Sequence, residues 1–196
     1  MNGAPRSVPV RSRGRPRQFK VAAASVKLRS CFAQGGYSGT SLEHLTRATG
    51  LSKPSLYSAF GDKRSMFLGA LDAEYAELKS RLGSLKQASG VAQRLQEFLH
   101  AVTKGYSSTA GEGVSGIAFA AALADTERDP EIKGRLRTFQ FAVEEAAQRS
   151  FGRDFAPFAT DMLAAFAISL CACARFSEAP VKDVDLCALA ALLACR

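Results

Sequence analysis

The chain has 196 residues, 47% of them hydrophobic, and a formal net charge of +8, enough for one or two modest domains with ample material for a core. The charge is uneven: residues 1–64 hold 12 Lys/Arg against 2 Asp/Glu, whereas residues 65–196 hold 14 against 16, so the first third is built to meet something anionic, nucleic acid or an acidic membrane surface. The five cysteines, an odd number scattered among apolar residues, do not look like a disulfide framework and point to a reducing cytoplasm; the basic N-terminus has no apolar stretch behind it to make a secretory signal, and the most apolar run, 162–174, is shorter than a membrane span.

Residues 1–17 hold three prolines, two glycines and five arginines with almost nothing to bury, and read as a flexible basic arm. Within it Arg15-Pro16-Arg17 is similar to a minor-groove arm, since proline keeps the chain extended and arginine favours the negative potential of a narrow groove. From Gln18, Val21, Ala24, Leu28 and Phe32 recur at helical spacing until Gly35-Gly36. Thr40-Ser41-Leu42-Glu43 matches a capping box with Thr40 as the cap, opening a helix of about two turns that Gly50 closes. Ser52 is the natural cap of the next short helix, with Pro54 in its first turn and Leu56 and Phe60 on its inward face. Gly61-Asp62 breaks and recaps, and a longer helix starts near Lys63, striped by Phe67, Leu71, Tyr75, Leu78 and Leu82. A helix of two turns is marginal in water, so the segment at 52–60 must be held by its neighbours for the sake of what its free face touches.

Beyond residue 90 the pattern stays helical with no alternating strand signal. Val91, Leu95, Phe98, Val102 and Tyr106 form one stripe, and Ile117–Ala124 a short segment. Asp129-Pro130 opens a helix carrying Ile132, Leu136, Phe139, Val143 and Ala146. Two last helices, 155–176 and 183–195, are apolar nearly all round, for which a second subunit is the expected cover. The fold class is therefore all-α.

The order helix, glycine turn, short polar-faced helix is that of a helix-turn-helix. The stretch GYSGTSLEHLTRATGLSKPSLYSAFGDKRSMF resembles the DNA-binding segment of the tetracycline-repressor-like (TetR) regulators, in a likeness covering residues 18–78. The resemblance implies a three-helix DNA-binding head over 18–78, with the helix-turn-helix at about 41–60, and a regulatory and dimerisation domain over 79–196. It implies that Thr40 and Ser41 bond phosphates and that Ser52, Lys53, Pro54, Ser55 and Ser58 open or line the recognition helix, with Lys53 best placed to donate to a guanine. Tyr57 and Lys63 would add backbone contacts, and Arg15 and Arg17 contacts from the arm. It further implies a homodimer on a near-palindromic operator. A small apolar effector would lie in the body, where Phe98, Val102, Tyr106, Phe119, Leu136, Phe139 and Phe166 are the candidate lining.

The reading is thus a cytoplasmic, ligand-responsive transcription regulator, most simply a repressor, that needs no cofactor or metal. An enzyme is disfavoured because His44 and His100 have no partners at metal-ligand spacing, and Cys171 and Cys173 point to opposite sides of a helix. The alternatives are a non-specific basic nucleoid-type DNA-binding protein and a helical adaptor for an acidic partner.

Overall fold

The computed structural model of the chain describes residues 15–85, 90–103, 129–173 and 189. Every element among them is an α-helix: α1 Arg15–Gly35, α2 Leu42–Thr49, α3 Lys53–Phe60, α4 Lys63–Gly83, α5 Val91–Thr103, α6 Pro130–Phe151 and α7 Pro157–Cys173. None of these is long and apolar enough to cross a membrane. The expected segment 117–124 lies outside the described residues, as does 183–195 apart from Leu189.

The helix boundaries follow from local chemistry. Residues 15–17 are the first turn of α1 and not part of an extended arm: proline in the opening turn gives up an amide that would have had no partner, and its fixed φ suits a helix. Gly36, Gly50 and Gly61 take positive φ at the ends of α1, α2 and α3, which residues with a Cβ rarely adopt. At Gly61 an added Cβ would also lie 2.9 Å from Ser65 Cβ. Ser41, Ser52, Asp62 and Asp129 cap the helices that follow them.

α1, α2 and α3 pack around the first half of α4, burying Phe32, Leu45, Leu56, Met66 and Phe67. The second half of α4 enters a bundle with α5, α6 and α7, where Leu78, Leu82, Leu95, Phe98, Val102, Ile132, Val143, Phe151 and Leu163 are buried. The buried cluster is continuous through α4. α7 folds back along α6, with Gln148 Nε2 reaching Thr160 Oγ1 at 2.5 Å. It begins at Pro157, because Phe155 belongs to the turn, where it is buried with its ring stacked on that of Phe151 at 5.5 Å. Arg81 Nε donates to the Ala101 carbonyl at 2.9 Å and Arg149 Nη2 to the Leu82 carbonyl at 3.2 Å, occupying carbonyls at helix ends that lack partners within their own helix.

Candidate nucleic-acid interface

The two short helices are pinned by one fully buried leucine each, Leu45 on α2 and Leu56 on α3. Between them the turn is closed by three contacts. The Gly50 amide donates to the Thr46 carbonyl at 2.9 Å, the Leu51 amide to Thr49 Oγ1 at 3.3 Å, and the Ser55 amide to Ser52 Oγ at 3.4 Å. With Leu56 inward and Phe60 half-buried, α3 turns every other side chain to solvent: Lys53, Pro54, Ser55, Tyr57, Ser58 and Ala59 are exposed, as is the cap Ser52. Tyr57, at 44% exposure, is a large aromatic ring left outside a core that had room for Phe32 and Phe67. The bare face of α3 is thus a ridge of one cation, four hydroxyls counting the cap, a proline and a methyl group.

Lys63 stands one turn beyond this ridge, with Nζ 4.5 Å from the centroid of the Tyr37 ring. Tyr37 rests in turn on Phe67, ring centroids 5.3 Å apart, and Phe67 on Phe32 at 5.2 Å. The cation–π contact fixes the ammonium at the rim of the head. Tyr37 is not among the site residues that the sequence suggests, and only its place in the Gly36-Tyr37 pair that opens the TetR-like stretch hints at it. At the same helix start Asp62 accepts from the Ser65 amide at 2.7 Å, which holds its carboxyl below the usual range.

The expected cap of α2 is corrected from Thr40 to Ser41. Thr40 is completely buried, and its hydroxyl donates to the carbonyl of Gly36 at 2.7 Å and of Cys31 at 3.2 Å, closing the end of α1. The cap of α2 is Ser41, exposed, whose Oγ accepts from the His44 amide at 3.0 Å, while Glu43 faces Arg47 instead of reaching back in a capping box. The Thr40 hydroxyl is spent on backbone carbonyls inside the head. Arg15 and Arg17 sit on the first turn of α1.

In the body, Phe98 and Val102 are fully buried, Phe98 edge-on to Phe151 at 5.7 Å, and serve the core. Phe166 is half-buried against it; Tyr106 and Phe119 lie outside the described residues. Leu136 and Phe139 line a cavity of about 200 Å³ between α4 and α6, together with Leu71 and Tyr75. Beside it runs an ionic clasp that sequence patterns did not reveal. Arg64 donates to both carboxylate oxygens of Asp129, at 2.7 and 3.0 Å, and to Glu131 at 2.6 Å, while Arg135 donates to Asp72 at 2.7 and 3.1 Å and to Glu131 at 2.9 Å. The guanidinium of Arg64 holds the Asp129 carboxyl down to about 2, and Glu131 is lowered by Arg64 and then Arg135. Among the described residues no His, Cys, Asp and Glu gather into a metal-holding group.

Residues 27–70 match the family model described as bacterial regulatory proteins, tetR family. The HTH-type transcriptional repressor ComR of Escherichia coli K12 is 45% identical over 62 residues, 32% of this chain; the match spans only 30% of that repressor's length. A transcriptional regulator from Rhodococcus sp. Rha1 has the same fold at TM-score 0.71, with 18% identity, 88% of this chain and 95% of that one covered. So does the TetR family regulator CifR, solved as a cysteine mutant complexed with 26-bp operator DNA, at TM-score 0.59 and 24% identity, with 97% and 96% covered.

Proposed function

We propose that the chain is a TetR-type, sequence-specific DNA-binding transcription regulator, acting as a repressor and homodimer in the cytoplasm; the match of residues 27–70 to the tetR family model and the 45% identity to ComR over 62 residues support that reading. The observation that carries the reading is the bare face of α3, a two-turn helix that spends Leu56 and part of Phe60 on the core and turns its other side chains to solvent. Such a ridge fits a major groove, where Lys53 at its first turn meets base edges and Ser55 and Ser58 add hydroxyl donors. Ser52, Pro54 and Tyr57 bear on the adjoining backbone, as do Ser41 with the N-terminal amides of α2, and Lys63. Arg15 and Arg17 contribute charge from the first turn of α1. Residues 18–78 form this head and 79–196 the regulatory body, with α4 crossing the division. A small, largely apolar effector in the body releases the DNA.

Selection of bound fragments from genomic DNA, followed by gel shift at moderate salt, tests the reading. The expected result is a near-palindromic site whose affinity falls steeply with salt as phosphate counterions are released. Equal binding to all fragments would instead indicate a nucleoid-type protein, and no shift an adaptor for an acidic partner.

A further inference from the structure

Lys63 and Arg64 are consecutive cations at the start of α4, and the fold gives them different surroundings. Arg64 is turned to the body, where Asp129 and Glu131 hold it. Lys63 has no ion pair among the described residues; its ammonium lies 4.5 Å from the centroid of the Tyr37 ring. The carboxylate next to it in the chain, Asp62, is occupied in capping the helix, accepting from the Ser65 amide at 2.7 Å. The difference has a chemical consequence. A carboxylate that holds a lysine also cancels its charge toward a third group, whereas a ring face holds it through the quadrupole and leaves the net charge whole. The three donors of the ammonium point to different sides, so those turned away from the ring stay open to an acceptor. The ring itself is anchored. Tyr37 is half-buried and tilted at 49° on Phe67, and Phe67, fully buried, lies edge-on to the equally buried Phe32. Its turn is fixed too, by the Gly36 amide donating to the Phe32 carbonyl at 2.8 Å and the Thr40 hydroxyl donating to the Gly36 carbonyl at 2.7 Å. A charge on a flexible four-carbon stem is thus tied to the core through a column of rings.

We propose that Tyr37 is a positioning residue for DNA binding: its ring holds the Lys63 ammonium, with its charge uncancelled, where a phosphate oxygen of the duplex meets it. The proposal rests on the reading of the head as a DNA-binding domain and adds to it a residue outside both helices of the helix-turn-helix. Ordering a long side chain at an interface weakens binding by a factor of about two to ten, and here the ordering is done when the head folds. The ring alone does this, so phenylalanine at position 37 serves as well as tyrosine.

Two measurements on the full chain test this. In NMR spectra of protein carrying isotope-labelled lysine, without DNA, the Lys63 methylene protons, assigned by their loss in Lys63→Met, are expected upfield of those of the other lysines, shielded by the ring; ordinary positions overturn the proposal. In gel shifts on a DNA site selected from genomic fragments, Tyr37→Phe should bind within about twofold of the parent, whereas Tyr37→Leu should weaken binding about fivefold. That loss should vanish in the Lys63→Met background, because a positioning residue acts only through the group it positions. A Tyr37→Leu loss that is the same with and without Lys63, or a Tyr37→Phe loss as large as that of Tyr37→Leu, overturns the proposal. If Tyr37→Leu does not fold, pentafluorophenylalanine at position 37 keeps the shape of the ring while removing its negative face; it should show the same Lys63-dependent loss, and unchanged affinity overturns the proposal. A parent chain that binds no DNA removes the regulator and this role with it, whereas DNA binding indifferent to every change at Tyr37 removes this inference alone.

Discussion

Thr40 is sealed from solvent with its hydroxyl shared between two carbonyls at the end of α1, while its neighbour Ser41 stands exposed and caps α2. Thr40→Val keeps the shape and leaves buried carbonyls short of a donor, which costs about 1–3 kcal/mol; Ser41→Ala removes only a cap, costing about 1 kcal/mol. Urea unfolding should rank them in that order, and Thr40→Val should leave the salt dependence of DNA binding unchanged, because that hydroxyl is buried and bonded within the head. The sequence offers no means of choosing between two adjacent hydroxyls, each a sound cap; the choice is made by the Gly36 and Cys31 carbonyls, which only the folded turn brings near. On α3 the roles divide differently. Lys53→Ala should relax base preference, whereas Tyr57→Phe and Lys63→Ala should weaken binding to all sequences about equally, by gel shift on selected and random DNA. Equal loss on both for Lys53→Ala would remove it from base reading.

Where α4 meets α6, stability is tied to acid by the clasp of Arg64 on Asp129 and Glu131. The Asp129 carboxyl is depressed from 3.8 to about 2, so its contribution is fully present above 3.8 and is lost as pH falls toward 2, the unfolded chain then taking up the proton first. Arg64→Gln should therefore melt at a lower temperature than the parent at neutral pH, and the gap should close as pH drops through that window. A gap that stays constant down to pH 2 would mean that the pair contributes nothing through charge. Helical elements of this kind are legible because capping residues and apolar stripes are local: Gly50, Ser52, Asp62 and Asp129 mark their own helix ends, and Phe67, Leu71, Leu78 and Leu82 fall on the inner face of α4 as their spacing requires. Glu74 was equally legible in position, three residues past Leu71 and four before Leu78, yet its charge hid it from a reading based on apolar residues. Arg64 with Asp129, by contrast, is a pairing of distant residues that no periodicity encodes. The start of α1 is not legible in the same way, because a proline beside arginines signals an arm or a helix's first turn with equal force.

At the scale of the molecule, α7 presents an apolar stripe that the described chain leaves open. Phe158 is 73% exposed and Met162 49% exposed, with Ala165 and Ser169 exposed in line at successive spacings of four, three and four. These steps keep one side of a helix, and small residues at its far end allow a second helix to come close. Phe141 on α6, 66% exposed, adds a further large apolar group outside the core. The opposite side of α7, with Leu163, Ala164 and Ala167, is spent on the core, so seam and core can be tested separately. Met162→Glu should leave a folded chain that light scattering finds as monomer, since the glutamate stays in water there and would be buried unpaired only in a dimer. Ala164→Glu should instead cost folding itself, seen as lost helical signal. If the two DNA heads act together, the Met162→Glu monomer loses the gain from linking two half-sites, about 10²- to 10⁴-fold in affinity, while each head keeps its base preference. A Met162→Glu protein that remains a dimer would move the seam off this stripe. A monomer with undiminished affinity would mean that a single head suffices.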